Sequence, residues 1–195
     1  MARRYPILSL AAILGAMGLL FLAQGMWIPA KAAVAQVLLR QAWADTLAGE
    51  GKARPWPWAD TWPVARLVVP EHGVNLVILA GANGGSLAFA PAHMDGTAIP
   101  GSLGTSLVAG HRDTHFEFLR RLRLEDRLVI ETPAGESLAY EVINLSIVDT
   151  RAPLATHTHP TGRSLVLVTC YPFETLVPGG PLRYVVTAAE VGAEE

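Results

Sequence analysis

From Ala65 onward the chain is cut into eight short apolar runs, and glycine, proline and asparagine stand between them. The runs read "ARLVVP", "VNLVILA", "SLAFAP", "TSLVAG", "RLVIETP", "SLAYEVINLSIVDT", "SLVLVT" and "LRYVVTA". Short strands recurring at this spacing predict a β-barrel or a sandwich. One helix is expected among them. In "THFEFLRRLRLED", Thr114 followed by Glu117 fits a capping box, and Phe118, Leu119 and Leu122 make an apolar face. Arg120, Arg121, Arg123 and Arg127 read as the solvated side of that helix, with contact to anionic lipid as the alternative. At 195 residues, about half of them apolar, the chain has room for one domain with a full core besides its N-terminus. A net charge of -2 gives no basic field, which sets nucleic-acid binding aside.

The N-terminus is of a different texture. Arg3 and Arg4 precede "ILSLAAILGAMGLLFLAQGMWI", a stretch without charge that would reach about 33 Å as a helix, enough to cross a bilayer. A cleaved signal peptide is the rival reading, because "AKA" and "AVA" between Ala30 and Ala35 look like small-residue cleavage sites. The run is longer than a usual signal core, Trp27 suits an interface, and the two arginines favour a cytoplasmic N-terminus. On either reading the rest of the chain faces outward. Next, Val34, Val37, Leu38, Trp43 and Leu47 keep a helical spacing that Gly49 and Gly51 end, as a stalk helix or a continuation of the anchor. "ARPWPWADTWPVARL" then excludes a regular helix with three prolines and three tryptophans, and reads as an extended strap packed over the domain. The expected organisation is a tip and anchor over 1–30, a stalk and strap over 31–64, and the β domain over 65–195.

The chain holds a single cysteine, Cys170, so no disulfide can form within it. Outside the cytoplasm unpaired thiols are usually removed, so one that remains is either a small buried hydrophobe or chemically used. Its setting favours use. "SLVLV" reads as a buried strand with Thr169 and Cys170 at its end, "YPFETLVPGGP" must be a loop, and "LRYVV" begins the next strand with Arg183. If the two strands are antiparallel neighbours, Cys170 and Arg183 share one rim. A free thiol is only about 3% thiolate at pH 7, and nearby cations raise that fraction. A guanidinium also stabilises the oxyanion formed when a thiolate attacks a carbonyl.

A proton donor for the leaving amine is still required, and histidine is the natural one. Of six histidines, His111 in "SLVAGHRDTHF" sits in a strand-end loop, as the cysteine does. His115 belongs to the first turn of the expected helix, while His72, His93, His157 and His159 read as surface loop residues. Two metal readings are weak. "HRDTH" has Arg112 where a zinc protease helix carries its glutamate base, and "HTH" at 157–159 has no third ligand close by in sequence. No metal or other cofactor is expected.

"LVTC" closing a strand, an arginine thirteen residues later, and "GHRDTHFEFLRRLRLEDRLVIETPAG" upstream together resemble the sortases, over roughly Ala65 to Ala188. With the Pro/Trp strap, the chain is similar to the branch found in Gram-negative bacteria. The resemblance implies a mainly β fold: an eight-stranded sortase-like barrel with one or two short helices, after an N-terminal transmembrane helix. It implies Cys170 as nucleophile, His111 as general acid/base and Arg183 as the residue that stabilises the oxyanion or holds the substrate. It further implies a single-pass protein of the bacterial inner membrane whose catalytic domain faces the periplasm or exterior. The implied partners are an exported protein with an LPXTG-like C-terminal sorting signal, cut at its Thr–Gly bond through a thioester, and an amine acceptor in the cell envelope. This chain departs from the family in reading Glu125-Asp126 where sortases usually have Gly-Asp, and in its own Tyr171 to Pro181 loop. It shows no acidic cluster to match the calcium site of some sortases. The residues leave two other functions open: a cysteine protease or amidase that uses water, and a silent membrane-tethered binding module. An L,D-transpeptidase would need a Ser-His-Gly-Cys context, which is absent.

Overall fold

The computed structural model describes residues 5–151, 162–175 and 179–192, in two units, Met1–Leu38 and Leu39–Glu195. His157 and His159 lie outside the described residues. The first helix, α1, spans Tyr5–Leu47, so the expected stalk is a continuation of the anchor helix. Its Ser9–Leu47 portion is long and apolar enough to cross a membrane, with a mean hydropathy of 1.8 in its most apolar window. Leu10, Leu14, Leu20 and Phe21 are all exposed, as side chains meant for a non-aqueous surrounding would be. The C-terminal end of α1 is different. Leu39, Ala42 and Trp43 are buried, and Leu39 and Trp43 pack with Val77, Leu79, Ala90 and Ala92 in a small second core of the larger unit.

The strap runs irregularly until β1 starts at Pro63. Trp56 meets Phe89 edge-on at 4.9 Å, and Lys52 lies 4.3 Å from the Trp62 ring centre, whereas Trp58 is exposed. The strap therefore meets the domain through Trp56, while the Trp62 ring is covered by Lys52 from its own segment.

Eight strands close into a barrel: β1 (Pro63–Val69), β2 (Val74–Ala80), β3 (Ala92–His93), β4 (Gly104–Ala109), β5 (Arg127–Glu131), β6 (Ser137–Asp149), β7 (Arg163–Cys170) and β8 (Leu182–Glu190). The order around the barrel is β1-β2-β3-β4-β7-β8-β6-β5. Each strand has a neighbour on both sides, although the two-residue β3 pairs with only Leu79 and Ala80 of β2 and Val108 and Ala109 of β4. Period-two alternation sends Leu67, Ile78, Val108, Leu128, Ile130, Tyr140, Leu165, Leu167 and Val186 into one core, with Phe116 and Leu119 added from the segment between β4 and β5. The pairs β2/β3 and β4/β7 are parallel and the others antiparallel.

Three expectations need correction. "SLAFAP" is not a strand: the Asn83 side chain accepts from Gly85 N at 2.9 Å and Ser86 N at 3.1 Å, which captures the amides a ladder would use and winds the short helix α2 (Gly84–Leu87). The third strand is instead Ala92–His93. The capping box is also absent. Residues Glu117–Arg121 form a 3-10 helix whose N-cap is Phe116 with no side-chain cap bond, because Phe116 turns fully into the core. His115 accordingly precedes the helix. Finally, His93 is buried at 6% exposure, with Nε2 2.9 Å from Ala98 O, and His72 is partly buried 3.4 Å from Asp126. Both are structural histidines.

Candidate active site

Three neighbouring strands meet at one rim of the barrel. On β7 and β8 the antiparallel register pairs Thr169 with Tyr184 and Cys170 with Arg183. Directly paired residues project to the same face. Leu167 and Val186, a pair three steps earlier, fill the core, so alternation sends Cys170 and Arg183 to the outer face. On the other side of β7 the parallel register pairs Val108 with Leu167 and Ala109 with Val168. Two further bonds carry it past the strand end: Gly110 N donates to Val168 O at 3.1 Å, and the Thr169 hydroxyl donates to Gly110 O at 2.7 Å. Counting one residue further along each chain brings His111 to the level of Cys170. The expected sharing of a rim by cysteine and arginine is thus observed, and His111 joins them from the strand on the far side.

Local sequence explains each placement. Gly110 lets the chain turn at this level because a Cβ there would lie 2.7 Å from the Phe116 ring, closer than real contacts allow. His111 then anchors the turn, its carbonyl accepting from Phe116 N at 2.9 Å, while its own side chain is exposed. Cys170 is a free cysteine of intermediate exposure. Arg183 bends back on its own loop, Nη1 donating to Gly180 O at 2.8 Å and Leu182 O at 2.9 Å. Tyr171, Phe173 and Tyr184 form an aromatic group beneath the loop, with Phe173 and Tyr184 also packed on the core. Two features near the rim escaped the sequence reading. His115 lines a cleft of about 310 Å³ with Val74, Leu76 and Phe118. Burial, and next the positive charge of a protonated His111 nearby, hold its pKa below the ordinary histidine value, against a hydrogen bond with the Phe89 backbone. The other is Arg112, whose buried guanidinium reaches the loop after Cys170. The spacing of "HRDTH" gave the only hint that this segment concentrates polar groups.

A family model described as "Sortase domain" matches residues 67–191. The chain belongs to the sortase family. Solved structures agree. Sortase C-1 from Actinomyces oris is 27% identical, with a TM-score of 0.58 over 67% of this chain and 75% of its own. A Clostridium perfringens sortase D5 transpeptidase is 26% identical, with a TM-score of 0.56 over 67% and 79%. Sortase A from Corynebacterium diphtheriae shares the fold at 22% identity, with a TM-score of 0.62 over 83% of this chain and 86% of that one. No curated protein sequence matches the chain significantly. As a sortase the protein is a cysteine transpeptidase, and Cys170 is the one cysteine in its sequence.

Proposed function

We propose that Cys170 is the nucleophile of this sortase, His111 its general acid/base and Arg183 its oxyanion-stabilising residue. The substrate is an exported protein carrying an LPXTG-like signal near its C-terminus. The Cys170 sulfur attacks the threonine carbonyl carbon, Arg183 neutralises the oxyanion, and the Thr–Gly C–N bond breaks as the protonated imidazole of His111 gives its proton to the leaving amine. The resulting thioester is opened by an acceptor amine, whose proton returns to the imidazole. What leaves is the exported protein joined to the acceptor, and the thiolate is restored. The anchor helix holds the enzyme in the bacterial inner membrane with the barrel facing outward.

The observation that carries this reading is the pairing of Cys170 with Arg183 on adjacent strands, with His111 two residues past the end of a parallel strand on the other side. The test uses the full chain in detergent with Leu-Pro-X-Thr-Gly peptides and hydroxylamine as acceptor. Wild-type protein should give a peptide hydroxamate and, in its absence, a Cys170 adduct whose mass reports a Thr–Gly cut. Cys170→Ala should abolish both while the protein still folds. His111→Ala and Arg183→Ala should each lower the rate by about 100-fold or more. Arg183→Lys should recover little, because it keeps charge but loses the planar fork. Free acid instead of hydroxamate would favour the hydrolase, and unchanged function in Cys170→Ala the binding module.

A further inference from the structure

Arg112 follows His111 directly and is 7% exposed, the only lysine, arginine, aspartate or glutamate buried this deeply among the described residues. A cation removed from water is costly unless its donors are met, so its partners indicate what it serves. Nη1 donates to Pro172 O at 2.9 Å and Nη2 to Thr175 O at 2.9 Å, while Nε donates to Asp113 Oδ1 at 3.1 Å. Both carbonyls belong to the loop that begins one residue after Cys170. They lie sixty and sixty-three residues from Arg112 in sequence.

We propose that Arg112 is a positioning residue, which holds the first turn of the β7–β8 loop against the His111 segment and so sets how strictly the sorting peptide is selected. The inference rests on the roles given above to Cys170 and His111. Exposure separates the two neighbours: His111 is exposed in the turn after β4, and Arg112 is buried. The side-chain type matters. Two carbonyls three residues apart are met together by the two terminal nitrogens of one rigid fork, whereas an ammonium is a point charge on a flexible stem. The loop is held from its other side as well, by Tyr171 N donating to Leu182 O at 3.1 Å and by the Tyr171, Phe173 and Tyr184 rings. Arg112 thus completes a clamp on residues 171–175, the stretch that follows the sulfur directly in sequence.

Arg112→Lys and Arg112→Gln in the full chain, in detergent, test this with three readouts. These are kcat and KM for hydroxylaminolysis of Leu-Pro-X-Thr-Gly peptides with each fixed position changed in turn to alanine, the rate of Cys170 alkylation by iodoacetamide, and the thermal transition. The expected result is a fall in kcat/KM of tenfold or more, carried mainly by KM. Discrimination between parent and alanine peptides should narrow by a similar factor, with alkylation within threefold of wild type. Values of kcat/KM and discrimination within twofold of wild type overturn the proposal. So does a parallel loss of alkylation in folded variants, which would assign Arg112 to the thiolate itself, or a lost transition in both variants, which would assign it to folding alone. A wild-type protein that alkylates normally but transfers none of the peptides defeats the sorting-signal reading and this proposal with it. An active wild type with unaffected variants defeats only this one.

Discussion

Glu125 adopts φ of +72°, the only non-glycine among the described residues in the left-handed region, with its amide donating to Val142 O at 2.9 Å. The backbone here adopts a conformation that favours glycine, at the position where the family resemblance leads one to expect the glycine of Gly-Asp. An L-residue in this region costs about 1–2 kcal/mol, partly offset by the smaller chain entropy it loses on folding. Glu125→Gly should therefore stabilise the domain by about 1 kcal/mol and raise Tm by about 2–4 °C, with transfer activity unchanged. A Tm equal to or below that of the parent would refute the strain. Reading residues singly locates side chains whose place is set by a strand end. Cys170, His111 and Arg183 each sit where an apolar run meets a turn, and the sequence displays that. Arg112 was passed over because its partners are backbone carbonyls some sixty residues away, which no local pattern encodes. His93 was taken for a surface residue because its burial comes from β4, through His93 pairing with Val108.

Elements were legible in proportion to the period of their side chains. Seven of the expected strands appear because alternation and terminal turns agree, and the eighth failed where one asparagine side chain outcompeted the ladder for two amides. The helix expected after His111 shrank to a 3-10 turn for a comparable reason, since Phe116 gained more by full burial than by continuing a capped helix. That burial ties the element to the site. Phe116 lies over Gly110, and a Cβ at Gly110 would meet its ring at 2.7 Å. Gly110→Ala should cost about 1–3 kcal/mol through overpacking and, because His111 is next in line, lower the transfer rate more than stability alone accounts for. Thermal melts beside kcat at a temperature well below the melt separate the two effects. A variant with parental Tm and parental kcat would show that the close approach of Phe116 has no consequence.

For the whole molecule, the anchor and the barrel are separate questions, and the anchor yields to fractionation. If α1 crosses the membrane, the full-length protein of 20.8 kDa should stay with membranes after alkaline carbonate extraction. A cleaved signal would leave a soluble species about thirty residues shorter. Barrel closure and strand order were beyond the reach of sequence pattern, since periodicity reports faces and not neighbours; the family resemblance supplied the barrel, and the structure alone its strand order. Neighbours turn out to matter for chemistry. Parallel strands cannot be joined by a tight turn, so β4 and β7 are separated by the excursion through β5 and β6. The β4–β7 ladder, at whose end Cys170 lies, therefore pairs segments about sixty residues apart, a kind of pairing that is slow relative to local folding. A chain whose barrel has not closed lacks the register that pairs Cys170 with Arg183, so on the proposed mechanism the competence to cut peptides arrives together with the finished barrel.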